Sequence, residues 1–228
     1  MDYYYLILVL PALLFALWAQ FRVKYVFAKY SKKQTQSGLS GRDSAELILQ
    51  SNGLGYIPVN HVSGNLTDHY NPKSETINLS DQVYNSSTQA SVGVAAHEAG
   101  HAIQHSTGYL PIKIRSAIIP ITTIGSQISW PLILIGLVLG WTNLAIIGVA
   151  LFSLTALFQL ITLPVEFDAS NRALKSLAES GRFTDEELVG AKKVLSAAAL
   201  TYVAALAVSI AQLIRLLAIV SGSGRRKR

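Results

Sequence analysis

The segment His97-Glu98-Ala99-Gly100-His101 combines two imidazoles and a carboxylate at a spacing suited to metal chemistry. On a helix, positions i and i+4 lie on one face, about 40° apart and roughly 6 Å along the axis, so both imidazoles can reach one ion. The H-E-x-x-H pattern predicts a Zn²⁺ site that keeps one position for water. Glu98 can take the proton of that water during attack on a peptide carbonyl and pass it to the leaving amine.

The third zinc ligand must come from elsewhere, and it is not a cysteine, because the chain has none. Glu166 is the best candidate, because it follows the uncharged residues 116–165 and an ionisable residue at a membrane boundary has a functional interpretation by default. Asp168 is a weaker ligand candidate, since it faces another side of the helix. We therefore expect one Zn²⁺ per chain, held by His97, His101 and Glu166. Asp168, Asn171 and Arg172 are candidates for side chains that hydrogen-bond to these ligands and orient them.

A further polar group can stabilise the oxyanion that forms when a carbonyl is attacked. His69 is one candidate, and Tyr70 or Tyr202 could serve instead. The alternative for His69 is a loop residue held by Asp68.

The motif requires a helix, and the flanking residues predict one from about Thr88 to His105 or Ser106. Ser86 or Ser87 is the expected N-cap, and Gly108 is the expected C-terminal glycine. Alternation in residues 76–79 predicts a short strand before this helix. That strand is either an edge strand that pairs with substrate backbone or a plain packing strand.

Composition indicates that part of the chain lies in lipid. Half of the residues are hydrophobic and 14% are charged, against about 25% charged in soluble domains. The sequence predicts a mainly α membrane protein of about four transmembrane helices with a small cytoplasmic zincin-like (gluzincin) catalytic unit containing a short strand or hairpin. The expected segments are a transmembrane anchor (3–21), a cytoplasmic catalytic segment (22–115), a transmembrane hairpin (116–165), a cytoplasmic segment with the third ligand (166–193), a fourth membrane helix (194–220) and a basic tail (221–228).

Lysine and arginine concentrate in residues 22–115 and 166–193, which predicts that both segments face the cytoplasm. The tail, Arg225-Arg226-Lys227-Arg228, lies outside the cell if the last helix crosses the membrane fully. The sequence does not decide whether that helix crosses, so it does not decide the side of the membrane on which the tail lies. Its expected contact is with anionic lipid headgroups. No nucleic-acid module is visible in the sequence.

The chain resembles the bacterial membrane-bound neutral zinc metallopeptidases of the YugP-like type. Residues 66–72, 79–80, 94–104, 164–170 and 198–205 carry this resemblance. It implies a zinc-dependent endopeptidase anchored in the cytoplasmic membrane. More distantly, the chain is similar to the CAAX-type and HtpX-like membrane peptidases, which have a Glu-aromatic-x-Ala-Asp segment after two spans. Ser170 replaces the final Asp of that segment here.

These observations predict a multi-pass endopeptidase of the cell membrane that acts on membrane-associated or unfolded proteins, with a role in membrane protein quality control suggested by analogy. One alternative is a protease with its site inside the bilayer, but the helix around His97 is polar at both ends. Another is a non-catalytic zinc-binding scaffold, which would not need Glu98. Sequence alone leaves substrate and oligomeric state open.

Overall fold

The computed structural model describes residues 2–225 and is mostly helical. A π-helical segment, Tyr5–Val9, leads directly into the first α-helix. The elements follow in the order α1 (Leu10–Tyr30), α2 (Gly41–Ser51), β1 (Val59–His61), β2 (His69–Asn71), β3 (Thr76–Leu79), α3 (Asp81–Tyr84), α4 (Gln89–Ser106), α5 (Leu110–Val138), α6 (Thr142–Glu179) and α7 (Asp185–Arg225).

The chain divides into two compact units. The apolar unit contains the residues up to Ala19, Lys113–Pro164 and the residues from Thr201 onward. The mixed unit contains Gln20–Ile112 and Val165–Leu200, and therefore includes the small sheet and the H-E-x-x-H segment.

Within residues 2–225, four helical stretches are long and apolar enough to cross a bilayer, which confirms the predicted number. They are Tyr5–Tyr30, Leu110–Val138, Thr142–Glu179 and Asp185–Gly222. Large apolar side chains on these helices are exposed, including Leu14, Ile121 and Val138. Contiguous apolar surface of this kind is unfavourable in water and suits lipid.

Within the apolar unit, the end of α7 lies beside the start of the chain. The guanidinium of Arg215 donates two hydrogen bonds to Oδ2 of Asp2, at 2.9 and 2.7 Å. The same guanidinium lies 5.3 Å from the ring centroid of Tyr5. Helix α7 therefore reaches the same end of this unit as the N-terminus. Of the predicted basic tail, residues 226–228 lie outside the described residues.

The three strands form one sheet in the order β1-β3-β2. Strand β1 is parallel to β3, and β2 is antiparallel to β3. Strand β3 confirms the predicted strand at residues 76–79, but the prediction that it could be an edge strand is wrong, because β3 is paired on both sides. The edge strands are β1 and β2.

The core of the mixed unit packs α2 and α4 against the sheet. Ile48, Ile77, Leu79 and Ala95 are fully buried in this core. Burial of such side chains is the main favourable contribution to folding, at about 25 cal/mol per Å² of apolar surface.

Helix α4 begins after Thr88, and the predicted cap at Ser86 or Ser87 is wrong. The Thr88 side chain accepts a hydrogen bond from the Ser91 amide, and the Ser91 side chain accepts one from the Thr88 amide. The Ser91 hydroxyl also donates to the carbonyl of Ser86, so the earlier serine contributes only its backbone. At the other end Gly108 has φ of 68°, the left-handed conformation expected after a helix.

Candidate metal centre

Helix α4 and helix α6 bring three side chains to one point. His97 and His101 lie one turn apart on α4, and their ring centroids are 4.6 Å apart. Oε2 of Glu166, on α6, lies 3.2 Å from Nε2 of His97 and 3.7 Å from Nε2 of His101. One ligand atom from each residue lies within 4.8 Å of the other two. Imidazole nitrogen and carboxylate oxygen are ligands that zinc binds in a catalytic site.

This convergence depends on Gly100. A Cβ atom at this position would collide with the backbone carbonyl oxygen of Ala169. Because Gly100 has no side chain, the backbone of α6 can contact the backbone of α4 about one turn from Glu166.

Each histidine has its other ring nitrogen occupied. Nδ1 of His97 lies 3.2 Å from the hydroxyl of Ser170, and Nδ1 of His101 lies 3.0 Å from Oε1 of Gln104. The amide oxygen can only accept, so His101 carries its proton on Nδ1 and its Nε2 is left for a metal. Partners of this kind fix the tautomer and the ring orientation of metal-binding histidines.

Gln104 also ties α4 to α6. Its amide nitrogen donates to the carbonyl of Val165 and to Oδ2 of Asp168, both at 2.8 Å. Asp168 in turn accepts a hydrogen bond from Nε of Arg172 at 2.6 Å. Gln104 is fully buried, and a buried amide needs such partners because an unsatisfied one is costly. His101, Gln104, Asp168 and Arg172 thus form one hydrogen-bonded chain.

Glu98 is held by strand β2. Its Oε2 accepts a hydrogen bond from the backbone N–H of Tyr70 at 2.8 Å, and the residue is only 8% exposed. Tyr70 lies opposite Ile77 on β3, while the Ile77 amide donates to the carbonyl of Pro58. The N–H of Tyr70 therefore points away from the sheet, toward the helix that carries His97 and His101.

Asp68 anchors the start of β2, and the predicted contact of Asp68 with His69 is wrong. Its carboxylate accepts hydrogen bonds from the backbone N–H and the hydroxyl of Ser80, at 2.7 and 2.9 Å. Burial raises the pKa of Asp68 above its usual value. The two hydrogen bonds from Ser80 lower the pKa, but the effect of burial is larger. Nδ1 of His69 lies 2.8 Å from the carbonyl of Thr67 instead. This arrangement fixes the strand next to Glu98.

The phenol of Tyr70 is neutral at ordinary pH. Burial raises the pKa of Tyr70 to about 12, and its hydroxyl lies 3.5 Å from Nδ1 of His105.

Two of the other predicted site residues, Asn171 and His69, lie away from the cluster of His97, His101 and Glu166. Asn171 is exposed and His69 is exposed on β2, and within residues 2–225 neither contacts the three clustered side chains. Tyr202 lies on α7 in the apolar unit.

Carboxylates make the electrostatic potential at the cluster negative. Burial lowers the pKa of His101, but the carboxylates of Glu166 and Glu98 outweigh burial and raise that pKa above its usual value. A potential that favours an imidazolium also favours a divalent cation, for which these same carboxylates would be counter-charges.

Comparison with known proteins agrees with this geometry. The chain belongs to the family described as "Putative neutral zinc metallopeptidase", which matches residues 5–221. This identifies it as a member of a zinc-peptidase family, and among its described residues four helical stretches are long and apolar enough to cross a membrane. It is similar to "Putative membrane protease YugP" of Bacillus subtilis (strain 168), with 46% identity over 211 residues, 92% of this chain and 94% of the relative. No solved structure matches the chain.

Sequence reasoning did not assign roles to Gln104, Ser170 or the Tyr70 amide. Gln104 could have been found, because it lies three residues after His101 and is a polar side chain on an apolar helix face. Ser170 could have been found from its place four residues after Glu166, one helical turn away. The Tyr70 amide carries no sequence signal, because every residue except proline has a backbone N–H.

Proposed function

We propose that this protein is a zinc-dependent endopeptidase whose metal is held by His97, His101 and Glu166, with Glu98 as general base. The observation that carries the proposal is the convergence of Nε2, Nε2 and Oε2 from two helices, beside a buried glutamate held by an edge strand. A non-catalytic zinc-binding scaffold would need the three converging ligand atoms but not the buried glutamate.

The donor set fits zinc. Two neutral imidazoles and one carboxylate, without cysteine, form the ligand class of glutamate-type zinc peptidases. The Nδ1 contacts with Ser170 and Gln104 leave both Nε2 atoms facing Glu166. Glu166 is 2% exposed, and a buried carboxylate is stable only when paired or bound to a cation.

The chain's own residues then perform the proton transfers. A zinc ion at this site would supply a Lewis acid that polarises the scissile carbonyl and acidifies water. Glu98 would accept the proton of the attacking water and deliver it to the amide nitrogen, so that the amine leaves neutral. The Tyr70 N–H holds the Glu98 carboxylate in place before substrate arrives, which reduces the reorganisation needed during the reaction.

The substrate would be a protein or peptide in an extended conformation. Strand β2 is an edge of the sheet and lies beside Glu98 through its Tyr70 amide. An extended chain can lie along such an edge and form hydrogen bonds with the backbone groups of β2 that Glu98 leaves free, and such bonds are independent of side-chain identity. Unfolded or membrane-associated segments meet this requirement, and quality control of membrane proteins is a role that needs it.

The mixed unit would act as a gluzincin-like unit on the cytoplasmic side of the cell membrane. Lysine and arginine concentrate in residues 22–115 and 166–193, and cytoplasmic loops carry such an excess. The contact between Asp2 and Arg215 supports a fourth helix that crosses fully and returns to the side of the N-terminus.

The test separates an enzyme from a zinc-binding scaffold. Purified protein in detergent is assayed for cleavage of casein before and after chelation, and after zinc is restored. We expect cleavage to be lost and regained. Glu98→Gln keeps the ligands and should lower cleavage by about 10²- to 10⁴-fold with unchanged zinc content. Glu179→Gln, the same change at an exposed site on α6, is the control. Equal activity of wild type and Glu98→Gln would refute the proposed role.

A further inference from the structure

The mixed unit contains a cavity whose lining includes no residue of the cluster of His97, His101 and Glu166. Its volume is about 720 Å³, and it is formed by one face of α1 between Arg22 and Tyr30 and one face of α7 between Val189 and Leu200. The two helices meet at its Tyr30 end, where a Cβ atom on Gly190 would lie 3.1 Å from Cδ1 of Tyr30. Hence Gly190 allows close packing at that end.

The ionic side chains of this cavity are all basic. Arg22, Lys29, Lys192 and Lys193 line it, and no lining residue that the structure describes is acidic. Within residues 2–225, Lys192 and Lys193 form no ion pair, and both are exposed. Four cations around one concave surface produce a positive potential that favours an anion.

Two of the three acids in the first turn of α7 have partners outside the cavity. Glu186 pairs with Lys33 at 3.2 Å. Glu187 accepts hydrogen bonds from the backbone amides of Thr184 and Gln36. The lining of the cavity includes none of the acids in this first turn, Asp185, Glu186 and Glu187.

The remaining lining is apolar, and the helices lead from the cavity into apolar segments. Val26, Ala197 and Leu200 contribute hydrocarbon surface. Arg22 directly follows the uncharged residues 3–21 of the first helix, and Lys193 directly precedes the uncharged residues 194–214 of α7. On both helices, the cavity therefore spans the change from charged to apolar sequence. A ligand with an anionic head and a hydrocarbon tail matches this pattern, whereas a free phosphate ion does not use the apolar part.

We propose that this cavity binds an anionic phospholipid, with its headgroup phosphate at Arg22, Lys29, Lys192 and Lys193 and its acyl chains against the apolar lining that includes Val26, Ala197 and Leu200. Basic pockets between membrane helices bind acidic lipid headgroups by this chemistry. The proposal is independent of proteolysis and would hold for a scaffold as well.

The experiment uses the full-length protein in a neutral detergent, titrated with phosphatidylglycerol, phosphatidylcholine or sn-glycerol 3-phosphate, with adducts measured by native mass spectrometry. We expect phosphatidylglycerol to bind most tightly. The double variant Lys192→Gln/Lys193→Gln should weaken its binding by roughly 25-fold, because each cation contributes about fivefold. Lys192→Arg/Lys193→Arg should retain it.

The control pair is Lys73→Gln/Lys113→Gln, which removes the same charge from exposed sites outside the cavity. Equal losses in both glutamine pairs would mean general electrostatic attraction and would overturn the proposal. Phosphatidylcholine binding as tightly as phosphatidylglycerol would overturn the charge argument. Glycerol phosphate binding as tightly would show a site for a free phosphate compound and overturn the lipid assignment. Melting temperatures of all variants check that each is folded.

Discussion

Removing the hydrogen bond between the Tyr70 amide and Glu98 should slow peptide hydrolysis without loss of metal. The variant is Tyr70→Pro, because proline has no N–H. Strand β2 is an edge strand, and the Tyr70 N–H points away from the sheet toward Glu98. Proline is tolerated in a strand at such a position, since no hydrogen bond within the sheet is lost. The substitution thus removes one donor from the general base and leaves the zinc ligands unchanged.

The size of the effect follows from the type of bond. A hydrogen bond to a charged group contributes about 1.5–3 kcal/mol. At about 1.4 kcal/mol per factor of ten in rate, its loss corresponds to a decrease of about 10- to 150-fold. The short 2.8 Å distance and the burial of Glu98 favour the upper part of this range.

The assay measures kcat and KM separately for a quenched-fluorescence peptide, together with bound zinc. Tyr70→Ala is the matched control, because it removes the aromatic ring but keeps the N–H. If the amide positions Glu98, kcat falls in Tyr70→Pro well below its value in Tyr70→Ala, and zinc content is the same in both. Equal kcat values in the two variants would refute the positioning role. A change confined to KM would instead assign the amide to substrate binding.

Three other substitutions test separate parts of the structure. Glu166→Gln should lose most bound zinc by elemental analysis, whereas Glu179→Gln should keep it, because a neutral amide is a poor zinc ligand. Gly100→Val should lower the melting temperature and the zinc content, since its side chain would collide with a carbonyl of α6; full zinc occupancy would contradict this packing. A hydrogen bond from the Ser40 hydroxyl, with one from its amide, lowers the pKa of Asp43, so Asp43→Ala should cost about 1 kcal/mol near pH 7. That difference should shrink as the pH falls below about 4 and Asp43 is protonated, and a constant difference would contradict the assignment.

The local features of the candidate site could be predicted from sequence. Two histidines four residues apart converge because helix geometry alone places them on one face. Glu166 could be singled out because a charge after a long uncharged run requires a reason. The four apolar helices follow from length and hydropathy, which are also local properties.

The features that sequence reasoning missed depend on contacts between distant segments. The Gln104 and Ser170 contacts exist because α6 packs on α4, and that packing is decided by the shapes of both helices. The order of the strands depends on pairing across loops, so nothing in residues 76–79 indicated a central strand. Thr88 is the cap of α4 because of its contacts with Ser91, whose hydroxyl also bonds to the Ser86 carbonyl. The sequence could not single it out, because the three successive residues 86–88 all carry a hydroxyl group.

The most direct test of the central claim is the zinc content of the purified wild-type chain, with X-ray absorption at the zinc edge. The arrangement of His97, His101 and Glu166 predicts about one zinc per chain in a shell of nitrogen and oxygen, with two imidazoles and no sulfur. Wild-type protein prepared without chelators that holds no zinc, or zinc in a shell without imidazole, would contradict it.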